Sequence, residues 1–74
     1  MTFGQALEAL KEGRSVSRVQ EWCGGTHGVS IKMLAPVGVR PFIAIRTGSG
    51  EWAPWLPQQF DLLAEDWTVV PDGR

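Results

Sequence analysis

An apolar hairpin lies in the second half of the chain and reads Phe42-Ile43-Ala44-Ile45-Arg46-Thr47-Gly48-Ser49-Gly50-Glu51-Trp52. The run Phe42 to Thr47 predicts the most apolar strand of the protein. Gly48-Ser49-Gly50 predicts a hairpin turn, because glycine accepts positive φ, and residues 51–55 are expected to pair back against the strand. An antiparallel sheet is therefore the starting point for the fold.

Three further segments extend this sheet. Ser15 to Arg18 is a short strand, and the alternation of residues 29–35 predicts a strand with one firmly apolar face. Residues 36–41 are expected to form a loop. Residues 67–70, which begin with Trp67, predict the final strand of the chain.

Helices are predicted at two places. Thr2 and Gln5 have the spacing of a capping box, and apolar residues then recur with a helical period up to Gly13, which suits a left-handed helix end. This pattern predicts a helix over residues 3–12. Pro57 suits a first helical position and predicts a short helix through Leu63 that buries Phe60, Leu63 and Ala64. The predicted class is α+β: an N-terminal helix, a small antiparallel sheet and a short helix before the last strand.

Length limits what this domain can contain. Seventy-four residues form one domain, residues 1–74, with a thin core. A nucleotide-sized pocket of about 300–1,000 Å³ does not fit inside such a core, so we expect any sizeable ligand to lie on the surface or between subunits of a homo-oligomer. The single cysteine and the lack of a long apolar run predict a cytoplasmic protein without a membrane partner.

Charge is unevenly distributed along the chain. Residues 1–46 hold six cations and three acids, whereas residues 47–74 hold one cation and five acids. The net charge of −1 argues against a protein that binds nucleic acid polymers. A small anionic ligand held by a few arginines is compatible with this pattern.

Enzyme chemistry finds little support in the sequence. His27 is the only histidine, and with Cys23 it supplies two metal ligands where zinc sites need three or four protein ligands. Gly48-Ser49-Gly50 lacks the lysine and the following helix of a P-loop. Asp61, Glu65 and Asp66 flank a short helix and are expected to be either a solvated face or helix-end charges. We therefore predict no catalytic residue, no metal and no cofactor.

The four tryptophans are the most informative side chains, and the chain has no tyrosine. Trp67 starts an apolar strand and is assigned to the core. Trp22, Trp52 and Trp55 lie among polar, glycine or proline residues, so their indole faces could stack on a nucleobase while a nearby arginine binds phosphate. For Trp22, core packing and ligand stacking remain equally open.

Both ends of the chain resemble a known family. Residues 3–13, then Val16, Arg18 and Trp22, and the closing motifs Pro54-Trp55 and residues 61–67 are similar to the Thoeris anti-defense 2-like family of small phage and prophage proteins. The Arg18 to Trp22 link is longer than the pattern of that family, and residues 24–40 are not distinctive.

The resemblance implies a sponge without enzymatic activity. Such a protein sequesters cyclic nucleotide signals of bacterial immunity, namely cyclic ADP-ribose isomers, cyclic dinucleotides or both in separate pockets. It forms a homo-oligomer, a tetramer built from dimers. The residues assigned to ligand binding are Trp22, Arg18, Trp55, Arg46, Asp61 and Trp52. The alternatives are a structural or protein-interaction module in which the tryptophans are core and interface, and, with less support, a nucleotide hydrolase.

Overall fold

A computed structural model describes residues 1–22 and 28–71 of the chain. Its elements in chain order are α1 (Phe3–Lys11), β1 (Ser15–Arg18), β2 (Ser30–Leu34), β3 (Phe42–Arg46), β4 (Trp52–Pro54), α2 (Gln59–Leu63) and β5 (Trp67–Val70). The predicted α+β class and the predicted order of elements are confirmed. The sequence also predicts a flexible loop at Gly24, Gly25 and Gly28, and the first two of these glycines lie outside the described residues.

The first helix begins at the predicted capping box. The Thr2 hydroxyl accepts a hydrogen bond from the Gln5 backbone N–H at 3.3 Å, and the Gln5 side chain accepts one from the Thr2 N–H at 2.9 Å. These two bonds satisfy donors that a helix N-terminus otherwise leaves free. Gly13 follows the helix with a φ of 88°, a conformation that glycine adopts without strain. The helix therefore ends at Lys11, one residue before the predicted end.

Five strands form one antiparallel sheet in the order β4-β3-β2-β1-β5. Strands β1 to β4 pair in chain order as a meander. Strand β1 pairs along its other edge with β5, the strand that follows α2. In that pairing Arg18 lies opposite Trp67. The sheet thus joins the two ends of the sequence through its β1–β5 ladder.

The core lies between α1 and one face of the sheet. Its fully buried members are Ala6, Ala9, Leu10, Val16, Ile31 and Trp67. Trp67 is only 2% exposed, as the sequence predicted. Side chains alternate along each strand, so the neighbours of the core residues point to the other side of the sheet, which we call the distal face. Ser30, Lys32, Ala44, Arg46, Trp52 and Pro54 belong to the distal face.

The short helix differs from its prediction in position and in orientation. It begins at Gln59 instead of Pro57, and Phe60 and Leu63 are exposed instead of buried. Ala64 is half-buried and packs against the core. The inward position of α2 is occupied by Asp61, whose carboxylate accepts the Gln58 N–H at 3.0 Å and pairs with Arg18. Because this polar contact fixes the rotation of the helix, the apolar side chains face solvent.

Candidate functional site

Three tryptophans and a phenylalanine pack together beside the core. Trp22 meets Trp67 edge-to-face with ring centroids 5.3 Å apart, and Trp55 meets both Trp22 and Trp67 at 6.1 and 6.0 Å. Phe3 of α1 lies 5.3 Å from Trp67. Each such pair adds about 0.5–1.5 kcal/mol beyond simple burial. Trp22 and Trp55 are half-buried, so each has one side against the core and another accessible to solvent.

Arg18 sits at the edge of this aromatic cluster, at the end of β1. Its Nε donates to Asp66 at 2.9 Å, and its Nη1 donates to Glu21 at 2.7 Å and to Asp61 at 3.1 Å. The three carboxylates come from the turn after β1, from α2 and from the residue before β5. The buried guanidinium of Arg18 therefore forms hydrogen bonds with three separate segments of the chain.

Two groups in this network have shifted pKa values. For Arg18, burial acts against the charged form, but hydrogen bonds to Asp66 and Asp61 and the charges of Asp66 and Glu21 outweigh it, so the pKa lies above its ordinary value. For Asp66, the hydrogen bond from the Gln20 backbone N–H lowers the pKa most. Burial opposes this, and Arg18 lowers the pKa further. Both groups are therefore held in their charged forms.

The charges of Arg18 and its three carboxylates favour ligands that donate hydrogen bonds. One arginine and three carboxylates give a formal charge of −2, and the guanidinium already binds carboxylates. Glu21 is the most exposed of the three acids. We expect the surface beside Trp22 and Trp55 to favour hydroxyl or amino groups over phosphate. The pairing of Arg18 with a phosphate stays a prediction.

The other predicted arginine, Arg46, lies in a different environment. On the distal face it is directly opposite Trp52 in the β3–β4 ladder. Trp52 is 42% exposed and Arg46 is exposed. Lys32 of β2 occupies the diagonal position next to Arg46, where Cα atoms are usually about 7–8 Å apart. None of the described residues that share the distal face of the five strands is acidic.

The six predicted site residues thus form two separate groups. The structure brings Arg18, Trp22, Trp55 and Asp61 together on the helix side, whereas Arg46 and Trp52 lie on the distal face. Lys32 was missed as a candidate. Its signal was available, because a period of two places it on the opposite side of β2 from the buried Ile31.

Comparison with known proteins places the chain in a family. Residues 1–70 match the family described as the Thoeris anti-defense 2-like domain. The protein "Thoeris anti-defense 2" of Bacillus phage SP01 is 34% identical over 85 aligned positions, which cover 95% of this chain and 94% of that protein. The chain belongs to the Thoeris anti-defense 2-like family. Membership supports a role in anti-defence and confirms the resemblance seen in the sequence.

Two shallow hollows lie on the described surface of this family member, one beside Trp52 and one at the end of the β1–β5 ladder away from Arg18. One of about 70 Å³ is lined by Leu34, Phe42, Ala44, Trp52, Ala53 and Pro54, and another of about 100 Å³ lies beside Arg14 and Pro71. A drug-sized or nucleotide-sized ligand fills about 300–1,000 Å³. Neither hollow could enclose such a ligand within one chain.

Across residues 1–22 and 28–71, no group of three or more His, Cys, Asp or Glu side chains is arranged to hold a metal ion. Cys23 and His27, weighed above as metal ligands, lie outside the described residues. No helix in the described part of the chain is long and apolar enough to cross a membrane.

Proposed function

We propose that this protein is a sponge that binds and sequesters cyclic nucleotide second messengers, and so blocks bacterial anti-phage signalling without catalysing a reaction. The observation that carries the proposal is membership of the Thoeris anti-defense 2-like family over residues 1–70. The ligand class is cyclic ADP-ribose isomers or cyclic dinucleotides. The protein acts in the host cytoplasm, and neither a nucleic acid polymer nor a membrane is its partner.

The distal face supports an anionic ligand. Lys32 and Arg46 are like charges at diagonal positions, and such neighbours repel each other. A bound phosphate relieves this repulsion, and the planar guanidinium of Arg46 offers two parallel donors to its oxygens. Trp52, opposite Arg46, provides an exposed indole on which a base stacks.

The residues around Arg18 on the helix side of the sheet suit the uncharged parts of a nucleotide. Trp22 and Trp55 present half-buried indoles, and Glu21 presents a carboxylate that is largely exposed. Ribose hydroxyls and base amino groups are the donors that such a carboxylate accepts. Asp61 and Arg18 contribute by holding the indoles and carboxylates in position. The two groups thus suit different parts of a cyclic nucleotide, or two different ligands.

A homo-oligomer completes the proposal. Both groups lie on the surface of one small chain, and the hollow beside Trp52, about 70 Å³, is too small to enclose a nucleotide. Walls supplied by a second copy enlarge such a site. We propose a tetramer built from dimers, with ligands held between subunits.

Ligand capture provides the main test. The purified protein is incubated with a mixture of cyclic ADP-ribose isomers and cyclic dinucleotides, separated from free ligand, and denatured by heat. Mass spectrometry is expected to find intact nucleotide in near-stoichiometric yield. Linearised product that accumulates over many turnovers would instead identify an enzyme, and the absence of any bound nucleotide would favour an interaction module.

Matched variants test the distal face. Arg46→Gln and Lys32→Gln are expected to weaken binding about tenfold or more each, because a hydrogen bond to a charged group contributes about 1.5–3 kcal/mol. Arg40→Gln is the control, since it removes the same charge from an exposed loop residue. Titration calorimetry measures all three variants. Equal losses for Arg40→Gln and Arg46→Gln would show that only net charge matters.

A further inference from the structure

The short helix α2 exposes an unusual amount of apolar surface. Leu56, Phe60 and Leu63 are 86%, 76% and 78% exposed, and Leu62 is 44% exposed. We call these four residues the α2 patch. They lie within eight consecutive positions, whereas the buried member of the helix is the acid Asp61. Apolar clusters of this kind mark interaction surfaces more often than isolated exposed residues do.

From these observations we infer that the α2 patch is the surface through which two copies of this chain associate. In an isologous contact the same residues meet on both copies. The four exposed side chains offer on the order of 500 Å² of apolar surface per copy, from the usual areas of large apolar side chains and their exposed fractions. A stable contact needs about 800 Å² from each partner. The patch therefore supplies more than half of that area before its rim is counted.

Charge also favours a second copy as the occupant. Residues 56–64 contain one charged side chain, Asp61, and that carboxylate is buried against Arg18 at 3.1 Å. A surface that pairs with a second copy of itself is destabilised when it brings like charges together. The α2 patch carries no exposed charge of its own. An acidic or basic protein partner would find no complementary group on it.

The position of the patch links the contact to the site on the helix side. Asp61 sits on the inner side of α2, where it holds Arg18 and accepts the N–H of Gln58, while Leu62 and Leu63 face outward. Trp55 lies just before the patch in sequence and packs against Trp22. A second copy docked on the α2 patch covers the outer side of α2, the helix whose inner residue Asp61 holds Arg18. The inference rests on the proposed homo-oligomer but not on the proposed ligand.

Light scattering coupled to size exclusion tests the inference on the full chain at micromolar concentration. The wild type is expected to show an oligomeric mass, and Phe60→Glu with Leu63→Glu is expected to lower it at least twofold while the circular dichroism spectrum stays unchanged. Val37→Glu with Val39→Glu is the matched control, because these exposed apolar residues lie in the loop before β3. A monomeric wild type would overturn the inference.

A milder variant guards against misfolding. Phe60→Ala with Leu63→Ala keeps the helix, since alanine is the best helix former, and it is expected to raise the dissociation constant of the contact about 100-fold or more through the loss of apolar burial. An oligomer that survives both α2 variants but dissociates with Phe42→Glu and Trp52→Glu would place the contact on the distal face and overturn the inference.

Ligand binding on the same samples separates this inference from the proposed function. An oligomer that binds no cyclic nucleotide, yet dissociates when the α2 patch is altered, supports the contact and rejects the sponge. A monomer that binds nucleotide tightly rejects the contact and leaves the ligand class standing.

Discussion

Replacing Arg18 with methionine tests how strongly the carboxylate network stabilises the fold. The variant keeps a long side chain in the same space but removes the three hydrogen bonds that the guanidinium donates to Asp61, Asp66 and Glu21. Asp61 and Asp66 would remain mostly buried, with 12% and 19% of their side chains exposed, and would lose their counter-ion. We therefore expect a clear loss of folding free energy.

The magnitude follows from the burial of each pair. Glu21 is 59% exposed, so its pair with Arg18 contributes at most about 1 kcal/mol. Removing one partner of a buried ion pair costs about 3–5 kcal/mol. Because Asp66 keeps the N–H of Gln20 and Asp61 keeps that of Gln58, we take the lower end, about 3 kcal/mol. That is a large share of the roughly 4–11 kcal/mol expected for 74 residues.

Urea unfolding followed by circular dichroism measures this loss at neutral pH. Arg14→Met is the control, because Arg14 is exposed and its replacement should change stability by less than about 0.5 kcal/mol. Adding Asp66→Asn to Arg18→Met is expected to recover part of the loss, since it removes one stranded charge. A cost below about 1 kcal/mol for Arg18→Met would mean that water screens the network and that the reasoning is wrong.

The other predictions concern the core, the pH dependence and two glycines. Trp67→Ala is expected to cost about 3–5 kcal/mol in urea unfolding. Trp67→Phe should cost less because it keeps an aromatic ring in the core, although it loses part of the ring volume and the 3.0 Å bond from Nε1 to the Asp61 carbonyl. The lowered pKa of Asp66 stabilises the fold above the unfolded value of about 4, so stability should fall as pH drops below that value, and Asp66→Asn should flatten this dependence. Gly28→Ala should lower the melting temperature, because Gly28 has a φ of 84° and its added Cβ would lie 3.4 Å from the Gly48 Cα. Gly4→Ala in α1 has only Thr2 Oγ1 at 3.9 Å and should raise the melting temperature instead.

Local signals predicted most of the elements. The capping box at Thr2 and Gln5, the period of α1 and the glycines of the β3–β4 turn each act over a few residues, so the sequence displays them directly. Strand β1 was also predicted, from a period of two, and β5 from the apolar run that begins at Trp67. Their pairing was not, because no pattern within either segment specifies a partner so far along the chain.

The orientation of α2 shows where sequence patterns are insufficient. Phe60 and Leu63 have helical spacing, which led to the wrong prediction that they are buried. A five-residue helix has too few positions for periodicity to identify its inner face. The deciding contact joins Asp61 to Arg18, 43 residues away in sequence, and such a pair is invisible before the chain is folded.

The candidate site was predicted as a list of residues but not as an arrangement. Arginine and tryptophan content suggested nucleotide binding, and the strand period was sufficient to place Arg46 and Trp52 on one face. The ion pairs of Arg18 with Asp66 and Asp61 could not be predicted, since these two acids come next to Arg18 only through the β1–β5 ladder and α2.

The pairing of β1 with β5 has a consequence for the order in which the fold forms. Strands β1 to β4 pair with their neighbours in chain order, whereas the β1–β5 ladder joins distant segments, and Arg18 meets Asp66 48 residues later. Closing so long a loop is slow because its entropy is lost before any contact compensates for it. Trp67 belongs to β5, so the surface on which α1 packs is complete only once this ladder has formed. We therefore expect the meander to form first and the core to be completed in a late step.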